Sequence, residues 1–86
     1  METRKVVFGS IEDCRKYLRY AESFPYDLDL CYGSRVVDGK SILGILSFGM
    51  MKKLELVLHT DDCCAIERLM EKISFCSCDM VMAEAM

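Results

Sequence analysis

Few residue types in this 86-residue chain can do chemistry, and their spacing narrows the options further. There is one histidine, His59, and there are six cysteines: Cys14, Cys31, Cys63, Cys64, Cys76 and Cys78. His59, Cys63, Cys64, Cys76 and Cys78 are nominal soft donors for zinc, whose structural sites need four ligands converging as a tetrahedron. Cys63 and Cys64 are adjacent and would point to different faces of one helix, and Cys76-x-Cys78 lacks the two-residue spacer of a zinc-binding pair. No metal site and no cofactor are expected. Neighbouring cysteines also make poor intrachain disulfides, so these thiols read as small hydrophobes of a reducing compartment.

The hydroxyls are more informative. Ser10 stands three residues before Asp13, at the start of an apolar pattern spaced by threes and fours. That arrangement satisfies the free N–H groups of a helix start, with the acid in place of the usual Glu. Ser41 precedes a second apolar run, and Thr60-Asp61-Asp62 precedes a third. All three mark helix N-termini.

Composition sets the frame for these positions. At 9.9 kDa the chain is one domain, with 52% hydrophobic and 29% charged residues, the balance of a folded globule. Net charge is −3 and the basic residues are scattered, whereas nucleic-acid binding needs a clustered positive face. No apolar run approaches the roughly 20 residues of a membrane span. Met1-Glu2-Thr3-Arg4-Lys5 leads straight into a strand-like segment without the apolar region of a signal peptide. A cytoplasmic domain over residues 1–78 is expected, with 79–86 as a C-terminal tail.

The elements follow from periodicity. Residues 3–8 are β-rich and predict a first strand. Ile11, Cys14, Leu18 and Ala21 predict a helix over 11–23, ending before the single proline, Pro25. Residues 27–32 alternate, with Leu28 and Leu30 inward, and Gly33-Ser34 connects them to Arg35-Val36-Val37-Asp38 as a hairpin. Ser41 to Gly49 reads as a short helix capped by Ser41. Leu54, Leu56 and Leu58 mark a fourth strand, and Ala65, Ile66, Leu69, Met70 and Ile73 the buried stripe of a last helix. The order β-α-β-β-α-β-α predicts an α+β sandwich with its helices on one face.

That order, and the segment Gly39-Lys40-Ser41-Ile42-Leu43-Gly44-Ile45-Leu46-Ser47-Phe48-Gly49, resemble HPr, the small histidine phosphocarrier of the bacterial phosphoenolpyruvate-dependent sugar phosphotransferase system. Ala21-Glu22-Ser23-Phe24 and Leu28-Asp29-Leu30-Cys31-Tyr32-Gly33 resemble the corresponding helix end and second strand. The resemblance spans residues 3 to about 74, and its specific part is 41–49. It implies an open-faced β-sandwich, with a four-stranded antiparallel sheet in order 1-4-2-3 and three helices on one side.

The resemblance also implies what is missing. Family members carry a Gly-x-His-Ala-Arg-Pro type segment before the first helix, whose His bears the phosphoryl group and whose Arg helps to bind it. Counting back without a gap from Lys40-Ser41 places Ser10 at the His position, Glu12 at the Arg position and Asp13 at the Pro. His59 aligns with none of these. A serine phosphoester is too inert to pass its group onward. Two carboxylates about 6 Å from a phosphate would each repel it by roughly 3 kcal/mol per unit charge at an effective dielectric near 20, against a dipole attraction of roughly 0.3–1 kcal/mol.

Ser41 keeps its context. In the family this serine is the target of an ATP-dependent kinase that controls transcriptional and transport partners. A phosphoserine at a helix N-cap is electrostatically favoured, although Ser41 is equally readable as a cap alone. Ile42, Leu43, Ile45, Leu46 and Phe48 are too many for one buried face of a two-turn helix, so part of the run is expected to be exposed for partner contact. Ile42, Leu46 and Phe48 are the expected contact residues. The reading is an HPr-like, non-catalytic interaction or regulatory module of a bacterial cytoplasm. Its expected partners are phosphotransferase-system proteins, an HPr kinase or a transcriptional regulator, with no nucleic acid and no membrane insertion. Two alternatives stay open: a phosphocarrier working through His59 or Ser10, and an HPr fold recruited to another binding role.

Overall fold

The computed structural model describes residues 1–77, so the expected tail, 79–86, and Cys78 lie outside the described residues. The chain runs β1 (Glu2–Val7), α1 (Ile11–Glu22), β2 (Leu28–Tyr32), β3 (Arg35–Asp38), α2 (Ile42–Leu46), β4 (Lys53–Leu58) and α3 (Cys63–Lys72). The strands form one sheet in the order β1-β4-β2-β3, with every neighbouring pair antiparallel. This is the open-faced α+β sandwich expected from the sequence. No helix among the described residues is long and apolar enough to cross a membrane.

Period-two alternation sets the two faces of the sheet. Val6, Leu28, Leu30, Leu54, Leu56 and Leu58 are buried on the face the helices cover, together with Phe8 just past β1. Lys53 and Glu55 alternate with the β4 leucines and are exposed. Register places Glu55 between Lys5 and Cys31, and Val57 between Thr3 and Asp29. The opposite face is thus polar and open to solvent.

The helices close the core with Cys14, Tyr17 and Ala21 from α1, Ile45 from α2, and Ile66 and Leu69 from α3. Ile73 follows α3, and a 3₁₀ turn over Ser74–Cys76 buries Cys76 before Ser77 pairs with Val6. Apolar periodicity fades at Ser74, so the sequence had marked no element there.

Two glycines fix where α2 sits. A Cβ on Gly39 would lie 2.9 Å from the Leu28 Cβ, and the Gly39 N–H donates to the Leu28 carbonyl at 2.7 Å. A Cβ on Gly44 would meet the Val37 Cβ at 3.0 Å, so α2 lies directly on β3. The buried Tyr17 hydroxyl donates to the Gly39 carbonyl at 2.8 Å and ties α1 to the turn before α2.

Candidate functional site

The site is built where α1 begins, where the loop after α2 returns to the sheet, and along α2 itself. Ser10 caps α1 from an extended backbone, and its Oγ accepts the Asp13 N–H at 3.2 Å. The Asp13 carboxylate reaches back to accept the Gly9 N–H, also at 3.2 Å. The Cys14 N–H donates to the Ser10 carbonyl. Two N–H donors at this helix start, those of Gly9 and Asp13, are therefore held by the chain's own oxygens. Glu12 is exposed in the same turn, where the helix dipole favours an acid.

The loop after α2 closes on this corner. The Met51 N–H donates to the Phe8 carbonyl at 2.8 Å, and a Cβ on Gly9 would lie 3.8 Å from the Met51 Sδ. Met51 is 72% exposed and Ile11, the first residue of α1, is 54% exposed. Nothing local separates a buried methionine from an exposed one, because the difference lies in the return of the loop onto Gly9.

In α2, Ser41 is the N-cap, with its Oγ accepting the Gly44 N–H at 3.3 Å. The neighbouring Lys40 ammonium is held by the Phe24 carbonyl at 2.7 Å. Ile42 and Leu46 are half-buried against the core, and Ile45 is buried.

Phe48 corrects the expectation that it is exposed for partner contact: it is only 3% exposed. The chain leaves α2 at Ser47, and the Phe48 N–H donates to the Ile45 carbonyl, turning the ring inward. There it packs edge-on against Tyr32 at 6.3 Å and lies 4.9 Å under the Arg35 guanidinium. Arg35 is fixed in turn by a 2.8 Å hydrogen bond to the Ser47 Oγ.

The exposed apolar side chain of this run is Leu43, at 78%. Leu43 lies two residues before buried Ile45, about 200° around the helix, on the opposite face. A wheel centred on Ile45 would have found it.

His59 is placed away from this corner. Val7 pairs with Lys53 at the end of the sheet where α1 starts, whereas Glu2 pairs with Leu58 at the other end, next to His59. The length of β4, about 17 Å at ~3.4 Å per residue, separates the two ends. The His59 Nε2 lies 2.7 Å from the Asp29 Oδ2, and its N–H donates to the Asp27 carbonyl.

The five described cysteines, Cys14, Cys31, Cys63, Cys64 and Cys76, are present as thiols. Burial pushes the Cys14 thiol up from its ordinary pKa, and burial with Asp29 and Glu55 nearby does the same for Cys31. Among the described residues no group of three His, Cys, Asp or Glu side chains is placed to hold a metal ion.

The comparisons with known proteins agree with this geometry. The structure of HPr-C-His from Thermoanaerobacter tengcongensis superposes with a TM-score of 0.69 at 22% identity, covering 86% of this chain and 92% of that one. The chain has the HPr-like fold. The phosphocarrier protein HPr from Bacillus anthracis str. Ames matches at a TM-score of 0.63 and 19% identity, over 83% of this chain and 94% of that one. No protein-family model matches the chain, and no curated protein sequence matches it significantly. The HPr-like fold is thus carried by topology and packing, at a level of identity that leaves the site to be read from its own residues.

Proposed function

We propose that this chain is an HPr-like protein related to the phosphoenolpyruvate-dependent sugar phosphotransferase system that does not carry phosphate on histidine. On this reading it acts in the cytoplasm as an interaction or regulatory module, through Ser41 and the exposed side of α2. The observation that carries the reading is the corner at α1, where Ser10 and Asp13 satisfy each other's neighbouring N–H groups and Glu12 adds a second acid. A phosphoryl group on this turn would meet two carboxylates, with the Gly9 and Asp13 N–H groups already in use. Docking is supported by Leu43, Ile42 and Leu46 on α2, with Met51 and Ile11 exposed at the corner that the following loop closes. Partners would be phosphotransferase-system proteins, an HPr kinase acting on Ser41, or a transcriptional regulator.

Intact-mass spectrometry after incubation in bacterial lysate tests the reading, with one portion fed phosphoenolpyruvate and one fed ATP. A gain of one phosphoryl group from ATP only, abolished in Ser41→Ala, is the expected outcome for a regulatory module. An acid-labile gain from phosphoenolpyruvate overturns the proposal and directs attention to His59. No gain in either portion removes the regulatory role of Ser41 and leaves binding through α2 as the remaining function.

A further inference from the structure

A cleft of about 110 Å³ opens between the C-terminal end of α1 and the outer side of α3, lined by Tyr20, Ser23, Phe24, Arg68, Leu69 and Lys72. Its inner wall is apolar, since Phe24 and Leu69 are almost fully buried, and the Phe24 ring is braced edge-on by Tyr26 at 5.6 Å. Its outer wall is cationic. Arg68 and Lys72 are four residues apart on α3 and so share one helix face. The Lys72 ammonium sits 5.9 Å from the Tyr20 ring, on the cleft side of the helix.

An anion near a helix C-terminus normally meets exposed carbonyls. Here the Tyr20, Ala21 and Phe24 carbonyls are occupied. Ser23 donates to the Tyr20 carbonyl through both its N–H and its Oγ, the Phe24 N–H donates to the Ala21 carbonyl, and the Lys40 ammonium covers the Phe24 carbonyl. Lys40 brings a positive charge to the negative end of the helix dipole. Among the described residues no carboxylate lines the cleft, and the nearby Asp62 acid that feels Arg68 is taken up by the Ala65 N–H and the Tyr26 hydroxyl.

We propose that this cleft binds a small organic anion, with a compact apolar body against Phe24 and Leu69 and an oxyanion headgroup between Arg68 and Lys72. The volume suits a body of one ring, and the guanidinium fork suits an oxyanion whether phosphate or carboxylate. Neither α2 nor Ser10 takes part, so the site is independent of the proposed docking role.

Phenyl phosphate is the probe, titrated into the whole chain and followed by backbone amide chemical shifts. Saturable shifts confined to Tyr20, Ser23, Phe24, Arg68, Leu69 and Lys72 are expected. Inorganic phosphate and benzyl alcohol, which each lack one half of the ligand, should bind at least about tenfold more weakly. Arg68→Ala and Lys72→Ala should each weaken binding roughly tenfold and together abolish it, whereas Lys53→Ala on the open sheet face should change nothing. Both α3 residues are exposed, so the variants keep the fold, which the unchanged amide spectrum elsewhere verifies. The proposal is overturned by shifts that do not saturate, by equal binding of inorganic phosphate, or by undiminished binding in the double variant.

Discussion

Truncating Leu43 and Ile45, two residues apart in α2, should give opposite results. Ile45 is fully buried among the sheet leucines, so Ile45→Ala removes buried methyl and methylene groups and leaves a cavity, at about 2–5 kcal/mol. Small domains hold roughly 5–15 kcal/mol in total. With a urea slope of about 1–3 kcal/mol/M, that loss moves the midpoint down by roughly 0.7–5 M. Leu43 is 78% exposed and contributes almost nothing to the core, so Leu43→Ala should stay within about 0.5 kcal/mol of the parent. Phe48→Ala belongs with Ile45→Ala: its loss is about 3–5 kcal/mol for the cavity, with about 0.5–1 kcal/mol more for the cation over its ring. Urea unfolding of the three variants, followed by far-ultraviolet circular dichroism, is the assay. Equal midpoints for Leu43→Ala and Ile45→Ala, or a neutral Phe48→Ala, would refute the assignment of α2 faces. With it would go the choice of Leu43 as the residue that removes docking surface without removing the fold.

Two further predictions concern single polar contacts. Tyr17→Phe should cost about 1–3 kcal/mol at neutral pH, because it strands the buried Gly39 carbonyl. Burial also raises the Tyr17 pKa in the folded chain, so its contribution is whole below the ordinary tyrosine value near 10. It is lost progressively as pH rises above that, and the alkaline arm of a stability–pH curve should be flatter in Tyr17→Phe. Asp62 caps α3 by accepting the Ala65 N–H and, secondarily, the Tyr26 hydroxyl, and these bonds lower its pKa below 3.8. Its contribution is present above the unfolded value and lost as pH falls through the folded one. Asp62→Asn keeps a cap but cannot titrate, so its stability should fall less than the parent's between about pH 5 and pH 2.5, read by urea midpoints.

The strands and helices were legible because their signals are local, whereas the sheet order came only with the resemblance to HPr. Leu54, Leu56 and Leu58 alternate, Ser10, Ser41 and Asp62 cap, and Gly33-Ser34 closes a hairpin in which Tyr32 faces Arg35. The site was legible only where it is equally local. Ser41 was found as a cap, but the burial of Phe48 depends on Tyr32 and Arg35, contributed by the β2–β3 hairpin well before it in the chain. The exposure of Met51 depends on Phe8 and Gly9. The bridge from Ser77 to Val6 joins the far ends of the described chain, and no periodicity near Ser74 announces it. Long-range contacts of this kind set which apolar side chain is core and which is surface, and composition is the same for both.

On the proposed reading, the corner at α1 is where a shared fold parts from shared chemistry. A helix N-terminus has a limited number of free N–H groups, and a cap and an anion compete for the same donors. Ser10 and Asp13 use the Asp13 and Gly9 N–H groups for stability, and Glu12 fills the favourable end of the dipole with a fixed acid. A phosphoryl group arriving there would find the Gly9 and Asp13 N–H groups in use and would face two carboxylates. His59 offers no escape, since its ring is engaged with Asp29 at the far end of β4. On the proposed reading the chemistry of this fold is recognition, on the exposed side of α2 and in the cationic cleft at the other end of α1.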